Sequence, residues 1–333
     1  MDLRQSPFAA QGLWSHSALP SNLRKALLYL KSKSPFYAPI IQAVMPKDPE
    51  RWTWEAFFQL PLSGKSDLAR FNDRFLCVSS RQIQEWTSTS GTTGTPVYVG
   101  LTEKDLRRLA QNEAWTFTLA GLRRGDVMQI MITLDKRFMA GLAYWLGARR
   151  LGISVVRCGP GMAPVQWAVM SERRVTALLA VPSFLLRLLD YAESHGISPL
   201  GLSVRTLIAV GEPTLEDGGR PNALAREILS RWPLKIVSTY ASTELQTAFT
   251  ECPAGQGLHA QEELVFSEVL DEDGNPVPDG AEGQLVFTHL GVQGMPLLRY
   301  ATGDMVRVWR KPCSCGLTSL RIGPVLGRKE RRL

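Results

Sequence analysis

The spacing of hydrophobic residues changes along this 333-residue chain, and the changes predict alternating helices and strands. Residues 22–33 carry apolar side chains at helical spacing, which predicts an amphipathic helix. The helix should end before Ser34 and Pro35, because the residue before a proline disfavours helical geometry. Thr102 is suited to cap a second helix, because acidic residues follow in its first turn. Beyond that helix, continuous apolar runs alternate with helical segments, at 127–133, 138–151, 153–156, 164–172, 177–181, 183–195, 205–210, 221–231 and 235–239.

Continuous apolar strands that alternate with helices are typical of a parallel sheet covered on both faces. The pattern changes after about residue 260, where 264–270 and 284–288 form strands separated by a Gly- and Pro-containing turn at 273–276. The predicted fold class is therefore α/β, with mostly parallel sheets covered by helices and a smaller β-rich subdomain toward the C-terminus.

Composition narrows the class of protein. The chain is 44% hydrophobic and 21% charged, which is typical of an ordered core rather than of disorder. It has neither an apolar run long enough to cross a bilayer nor a signal-peptide pattern, so we expect a cytoplasmic protein without a membrane partner. The net charge of +7 is scattered, which favours an anionic small molecule over nucleic acid.

A segment rich in hydroxyl groups, Thr87–Pro96, lies between a predicted strand and a predicted helix. Its residues are all Ser, Thr, Gly or Pro. Glycine lets backbone N–H groups turn toward an anion, and hydroxyl groups add further donors for phosphoryl oxygens. The segment therefore predicts a phosphate-binding loop, although a solvated flexible linker has the same composition.

Three segments follow predicted strands, at the edge where open parallel sheets bind ligands. They are Val210–Pro213, Tyr240–Glu244 and the hydroxyl-rich loop after 84–87. A nucleotide there would find an aromatic face at Tyr240, backbone amides at Gly211 and a magnesium ligand at Glu244. The alternative for Glu244 is an acid that only stabilises a helix N-terminus.

Cysteine and histidine form a separate candidate site. Five cysteines without a secretory signal argue against a disulfide framework. Three of them, together with one histidine, supply the ligand set of a structural Cys₃His zinc site, namely Cys252, His259, Cys313 and Cys315. The alternative is ordinary thiols and a surface imidazole.

Several motifs together resemble a known family. The main ones are Ser88–Pro96, Tyr240–Glu244 and Arg299–Asp304, and further matches are Ser34–Tyr37, Leu60–Leu68, Glu251–Cys252 with Gly257–His259, Gly283–Val286 and Pro312–Gly316. Their order and context resemble the adenylate-forming (AMP-binding) enzymes, in the phenylacetate-CoA ligase and coenzyme F390 synthetase branch. The resemblance covers nearly the whole chain.

The resemblance implies an enzyme, an adenylate-forming ligase. It would use ATP to activate a carboxylic acid, which we expect to be an aryl acid, to an acyl-adenylate with release of pyrophosphate. This is the first half of acyl-CoA or acyl-carrier thioester formation. The implied cofactors are ATP, magnesium and a structural zinc. The implied partners are the acid and either CoA or a carrier protein as acceptor.

Site residues carry over from the same motifs. The β- and γ-phosphates are assigned to Thr89, Ser90, Gly91, Thr92, Thr93 and Gly94. Thr243 and Glu244 serve the α-phosphate and magnesium. The remaining nucleotide contacts are Gly211, Glu212, Pro213, Tyr240, Ala241 and Ser242, with Asp304 and Arg328 at the ribose. The zinc ligands are also family positions. The acid pocket is assigned to Phe138, Tyr144, Trp145, Pro182, Ser183, Phe184 and Ala241, with the hydrophobic core as the alternative for Trp145 and Phe184.

Family domain boundaries give a large α/β domain at 1–260, a β-rich subdomain of the same domain at 261–327 and a truncated hinge at 328–333. The chain departs from the family pattern at Thr95, where a lysine is usual, at Ala301, where an arginine is common, and at Glu330 in the hinge. The family's small lid domain, with its adenylation lysine, would follow Leu333. We therefore expect weak or partner-dependent activity, or a separate C-terminal domain acting in trans.

Two alternative functions share this nucleotide site. One is a non-catalytic nucleotide-binding or carrier-docking module, and the other is an AMP-transferring enzyme of the coenzyme F390 synthetase type. His289 follows a predicted strand, and a contact between its side chain and the substrate is a further hypothesis.

Overall fold

The computed structural model describes residues 18–89 and 96–329, which form two compact units. The first unit consists of the described residues of Met1–Arg108, Thr243–Leu245 and Ala260–Leu333. The second consists of Leu109–Ser242 and Gln246–His259.

The second unit is built on a parallel sheet. Its five parallel strands lie in the order β5-β4-β6-β7-β8, with β4 at Val127–Ile130, β5 at Ser154–Arg157, β6 at Ala177–Ala180, β7 at Thr206–Ala209 and β8 at Lys235–Ala241. Antiparallel strands β9 (Ala248–Glu251) and β10 (Leu258–His259) follow beside β8. The helices of this unit are α6 (Met139–Leu151), α7 (Ala163–Glu172), α8 (Pro182–Ser194) and α9 (Ala223–Arg231).

Both faces of this parallel sheet are covered by apolar side chains. Leu178 and Ala180 of β6 pack in one core with α7, α8 and α9, whereas Ala177 and Leu179 pack in the other with Tyr144 of α6. Because successive strand residues point to opposite faces, a strand buried on both faces has no polar alternation. This explains the continuous apolar runs in the sequence.

The first unit combines helices with mostly antiparallel strands. Its helices are α1 (Ser21–Lys33), α2 (Tyr37–Val44), α3 (Trp54–Phe58) and α4 (Lys65–Arg70), with 3-10 turns at Pro49–Arg51, Asn72–Phe75 and Ser80–Gln82. Its strands are β1 (Ser63–Gly64), β2 (Ile83–Ser88), β3 (Tyr98–Thr102), β11 (Val265–Leu270), β12 (Glu282–His289), β13 (Tyr300–Trp309), β14 (Arg321–Ile322) and β15 (Gly327–Arg328). Strand β1 pairs parallel with β13. Helix α5 (Glu103–Leu119) begins in this unit and ends in the second.

A buried ion pair connects strand β11 of the first unit with the residue that precedes β13. Arg299 donates two hydrogen bonds to the Glu268 carboxylate, and both side chains are at most 4% exposed. The same guanidinium donates to the carbonyls of Phe58 and Leu60 at 2.6 and 2.7 Å. The charge is therefore paired, and two further donors bind backbone carbonyls, which is what makes a buried ion pair tolerable.

Most of the predicted elements are observed, with boundaries that differ by a few residues. The strand predicted at 127–133 ends earlier, at Ile130, and strands at Ala248–Glu251 and Tyr300–Trp309 were not predicted. The α/β fold class is confirmed. The division of the chain at residues 260 and 327 stays a prediction.

The setting predicted for the hydroxyl-rich loop is wrong. Strand β2 does not lead into a helix, because β3 follows the loop and pairs antiparallel with β2, with Ser88 opposite Tyr98. Among the described residues these two strands form a separate two-stranded sheet. The loop therefore joins the strands of a hairpin, and it does not follow a strand of the parallel sheet.

Within residues 18–89 and 96–329, no helix combines the length and the apolar character that crossing a membrane requires.

Candidate nucleotide and zinc sites

The segment after β7 presents backbone at the carboxyl edge of the parallel sheet. Gly211 has φ +79°, a conformation that glycine adopts without the strain of a Cβ. The Glu212 carboxylate accepts hydrogen bonds from the backbone N–H and the hydroxyl of Ser183, at 2.9 and 2.7 Å. Glu212 thus binds two donors at the N-terminus of α8, where a negative charge is favourable. The side chain of Asn222 donates to the carbonyl of Pro213 at 2.7 Å.

The next strand, β8, carries the predicted aromatic contact. Tyr240 lies edge-on to Phe249, with 5.9 Å between ring centroids, and is half-buried. Ala241 ends the strand and is exposed, and Ser242 is half-buried. One residue earlier, the Thr239 hydroxyl donates to the Ala209 carbonyl at 2.8 Å. The end of β8 is thereby fixed to β7 while its last residues remain accessible.

Thr243 and Glu244 belong to the first unit and are half-buried. The carbonyl of the next residue, Leu245, lies 2.9 Å from Nε2 of His289 at the end of β12. Leu245 and His289 are both buried. Both ring nitrogens of His289 contact backbone groups of the protein, at Leu245 and Leu297. The buried ring therefore has no nitrogen left for the substrate contact that was hypothesised.

Asp304 and Arg328 are brought together by strand pairing. Strand β15 pairs with β13 so that Arg328 lies opposite Asp304, and Arg328 Nε lies 3.1 Å from Asp304 Oδ1. The Asp304 side chain is 11% exposed and that of Arg328 is 75% exposed. Below them, the Thr302 hydroxyl accepts the N–H of Asp304 at 3.0 Å. The carboxylate is thus held at a fixed position, and its partner extends into solvent.

Of the hydroxyl-rich loop, the structure describes Thr89 and the residues on either side of 90–95. The backbone N–H of Thr89 donates to the Val97 carbonyl, and the Thr89 hydroxyl accepts the N–H of Val97, at 3.0 and 3.1 Å. These bonds close the hairpin where the loop begins. Five of the six predicted phosphate contacts lie outside the described residues, namely Ser90, Gly91, Thr92, Thr93 and Gly94.

Two of the four predicted zinc ligands lie in the second unit. Strands β9 and β10 form a hairpin in which Glu251 pairs with Leu258 and Thr250 with His259. Cys252 follows β9 and starts the turn, where the N–H of Gly255 donates to its carbonyl at 3.0 Å. His259 and Cys252 are both buried. The hairpin therefore provides a thiol and an imidazole at the ends of its two strands.

The other two predicted ligands lie in a tight turn of the first unit. The N–H of Cys313 donates to the Leu317 carbonyl, and the N–H of Gly316 donates to the Cys313 carbonyl, both at 2.9 Å. Cys313 is buried and Cys315 is half-buried. Thiols and imidazole are the ligands that zinc prefers, so the chemistry of both pairs fits a zinc ion.

The residues predicted to bind the acid belong to the second unit. Phe138 precedes α6 and is 41% exposed. Tyr144 is buried, and its hydroxyl lies 3.3 Å from the Thr239 hydroxyl. Burial raises the pKa of Tyr144 well above its usual value. Trp145 and Phe184 pack against the two cores of the sheet, in agreement with the core alternative.

A buried carboxyl group, Glu113 of α5, was missed by sequence reasoning. Its side chain accepts a hydrogen bond from Asn112 at 3.0 Å, and burial raises its pKa to about 8. Burying a neutral carboxyl group costs less free energy than burying a carboxylate, so an acid on the covered face of a helix tends to keep its proton. The helical pattern could have placed Glu113 on that face, because Ala110 and Phe117 are three and four residues away.

The described residues define an α/β protein with polar groups at the ends of several strands. Comparison with known proteins identifies the family. Residues 82–294, more than half of the chain, match the family described as AMP-binding enzyme. The chain belongs to this adenylate-forming family, in the branch that contains phenylacetate-CoA ligases.

Two relatives illustrate the extent of the match. The phenylacetate-coenzyme A ligase of Thermus thermophilus is 31% identical over 317 residues, covering 93% of this chain and 69% of that enzyme. The enzyme of the same name from Escherichia coli strain K12 is 28% identical, covering 75% of this chain and 57% of that enzyme. The chain thus spans about six to seven tenths of the length of these relatives.

A solved structure shows the same fold. A crystal structure of 2-hydroxyisobutyryl-CoA ligase in complex with 2-HIB-AMP and CoA matches with a TM-score of 0.84 at 22% sequence identity. The match covers 95% of this chain and 70% of that chain. At this identity the likeness concerns the fold alone.

Proposed function

We propose that this chain catalyses the ATP-dependent activation of a carboxylic acid and the transfer of the acyl group to coenzyme A. The acid's carboxylate oxygen attacks the α-phosphorus of ATP, pyrophosphate leaves, and an acyl-adenylate forms. The sulfur of coenzyme A then attacks the acyl carbonyl carbon and AMP leaves. Family membership is the observation that carries this proposal.

In the proposed site, Asp304 accepts hydrogen bonds from the ribose hydroxyls. A carboxylate suits this role because each of its two oxygens can accept an O–H. The support is the fixed position of Asp304, which Thr302 holds at its backbone and Arg328 contacts at 3.1 Å. Arg328 is mostly exposed and so can approach the same ribose.

Adenine is assigned to the backbone at Gly211–Pro213 and to the ring of Tyr240. The Glu212 carboxylate already binds Ser183, so we assign its backbone rather than its side chain to the nucleotide. Ala241 and Ser242 continue this binding segment. The phosphates are assigned to Thr89 and to the loop residues that follow it.

Glu244 is the proposed magnesium ligand and Thr243 the proposed α-phosphate contact. A carboxylate oxygen is the kind of ligand that Mg²⁺ prefers. When bound, magnesium would neutralise negative charge on the phosphates. Both residues are half-buried, which leaves them accessible to a ligand.

The acid itself is proposed to be an aryl acid. The support is aromatic surface in the second unit, where Phe138 is partly exposed before α6 and Tyr144 lies deeper. Aromatic side chains bind a planar ring by offset stacking or edge contacts. Relatives act on different acids by name, among them phenylacetate and sulfoacetate, so a panel of acids is needed.

Acid-dependent exchange of labelled pyrophosphate into ATP tests this function. We expect exchange with an aryl acid, and Glu244→Gln should lower its rate by about 10²-fold, because the proposed magnesium ligand loses the charge that attracts the ion. The exposed acid Glu263 provides the matched control, and Glu263→Gln should leave the rate unchanged.

The other outcomes of this assay separate the alternatives. Binding of ATP without exchange for any acid would favour the non-catalytic module. Transfer of AMP to a cofactor without thioester formation would favour the F390 synthetase type. A carrier protein as acceptor and a C-terminal domain acting in trans stay predictions, tested by adding each to the exchange and thioester assays.

We also propose that Cys252, His259, Cys313 and Cys315 bind one structural zinc ion. The support is the ligand chemistry of the two pairs, each on its own short turn or hairpin. Four protein ligands leave no open position, so this zinc would stabilise the fold rather than take part in the reaction.

Metal analysis of the purified protein tests the zinc proposal. We expect one zinc per chain, and we expect both Cys252→Ser and Cys313→Ser to lose it. Cys77→Ser, which changes a buried thiol of the first unit, should keep the zinc. A purified chain without zinc would contradict a single four-ligand site. So would zinc that is lost in only one of the variants Cys252→Ser and Cys313→Ser.

A further inference from the structure

His289 is a buried side chain that connects three stretches of the first unit. It ends strand β12, and its backbone N–H donates to the carbonyl of Leu297 at 2.9 Å. Its ring nitrogen Nδ1 accepts the N–H of Leu297 at 3.0 Å. The other ring nitrogen, Nε2, lies 2.9 Å from the carbonyl oxygen of Leu245.

These contacts define one tautomer of His289. Because Nδ1 accepts from a backbone N–H, the proton of the neutral ring lies on Nε2, which donates to the Leu245 carbonyl. Burial and the nearby Arg108 guanidinium hold the pKa of His289 well below its usual value. The ring is therefore neutral, and one donor and one acceptor are both used.

The surroundings of the ring are rigid. The Phe287 ring lies 5.0 Å from the imidazole between centroids. Arg108 is buried and donates to the carbonyls of Leu264 and Leu290. Because β12 and its neighbours are fixed in this way, a bond from His289 transmits that fixed position to the segment that it contacts.

We infer that His289 is a positioning residue that holds the Thr243–Leu245 segment, and with it the Glu244 carboxylate, in place for magnesium and the α-phosphate. This inference rests on the proposed function of Glu244. The contact falls on Leu245, which directly follows Glu244 in the chain. Loss of the bond would leave the Glu244 side chain intact but its backbone less well fixed.

Two variants separate the two bonds of the ring. In His289→Gln, the amide nitrogen lies near the position of Nε2 and can still donate to Leu245. In His289→Asn, the shorter amide can accept from Leu297 but cannot reach Leu245. We expect His289→Asn to raise the Mg²⁺ concentration for half-maximal pyrophosphate exchange by about tenfold, the cost of about one buried hydrogen bond. His289→Gln should restore it to within about twofold of the wild-type value.

A stability control distinguishes positioning from general destabilisation. Val286→Ala removes buried methyl groups from the same strand and should lower the melting temperature without changing the Mg²⁺ requirement. Equal Mg²⁺ requirements for wild type, His289→Asn and His289→Gln would contradict the inference. An equal increase in Val286→Ala and His289→Asn would also contradict it.

Hydrogen exchange of residues 243–247 gives a second readout that needs no activity. We expect faster exchange in His289→Asn than in wild type, with protection restored in His289→Gln. If the wild-type chain fails to exchange pyrophosphate, the proposed function is wrong, and hydrogen exchange alone decides the positioning role. Hydrogen exchange of residues 243–247 that is the same in wild type, His289→Asn and His289→Gln would overturn that role.

Discussion

The two units bury polar groups in different ways. In the second unit the parallel sheet is covered by apolar side chains, and the candidate nucleotide contacts lie at strand ends. In the first unit, the buried side chains of Arg299, Arg108 and His289 bind backbone carbonyls of other segments. The candidate residues of the second unit thus lie where parallel strands end, whereas the first unit depends more strongly on buried side-chain hydrogen bonds.

Breaking the buried ion pair of the first unit should have the largest effect on stability. Arg299→Met leaves the Glu268 carboxylate buried without its cation, so we expect a loss of about 3–5 kcal/mol in the free energy of unfolding. Denaturant titration measures it. In the second unit, Arg205 contacts Asp126 but its side chain is 53% exposed, so Arg205→Met should cost at most about 1 kcal/mol. Similar costs for both variants would contradict the contrast between the units.

The second unit also buries one acid, Glu113, whose raised pKa should make the free energy of unfolding depend on pH. The folded chain keeps a proton on Glu113 up to its pKa of about 8, whereas the unfolded chain releases it near 4.5. The stabilisation is therefore complete below about pH 4.5 and is lost as the pH rises toward 8. We expect this group to lower the free energy of unfolding by up to about 1.4 kcal/mol per pH unit in that window.

Glu113→Gln should remove this pH dependence, because an amide does not titrate. Unfolding measured between pH 5 and pH 8 for both proteins gives the difference. Glu172→Gln, which changes an exposed acid of α7, serves as the control and should keep the wild-type slope. An unaltered slope in Glu113→Gln would show that the carboxyl is not kept protonated by burial.

Close backbone packing in the second unit should give the smallest effect. A Cβ at Gly141 in α6 would lie 2.1 Å from the carbonyl oxygen of Thr133. We expect Gly141→Ala to cost about 1–3 kcal/mol, because backbone must shift to accommodate the methyl group. Gly64→Ala in the first unit is the control and should cost less, because among the described residues nothing beyond the two chain neighbours lies within 4 Å of a Cβ built there. A neutral Gly141→Ala, measured by thermal unfolding, would show that α6 can move.

The sequence predicts the second unit better than the first for a physical reason. Strands buried on both faces, such as Ala177–Ala180, leave a local apolar signal, and so do the helices between them. Strand β13 alternates buried and half-buried residues only from Asp304 onward and contains a motif with glycine, so the strand was not predicted. The hairpin of β2 and β3 was missed because Thr102 followed by acidic residues indicated only the helix start.

The candidate site was predictable through motifs rather than through periodicity. Family and fold class are confirmed, whereas the reaction, the individual site residues and the cytoplasmic location stay predictions. The pairing of Asp304 with Arg328 depends on β15 returning beside β13, a long-range contact that no local pattern encodes. The Leu245–His289 bond joins residues 44 positions apart and is equally invisible to local analysis.

The most direct test of the central claim is the affinity of ATP for Asp304→Asn, measured by calorimetry. We expect a loss of about tenfold or more, because a carboxylate that accepts hydrogen bonds from the ribose is replaced by a neutral amide. Glu282→Gln is the matched control, since it removes an ion pair with Arg307 between the neighbouring strands β12 and β13. ATP binding that is equally tight in Asp304→Asn, Glu282→Gln and wild type would contradict the account.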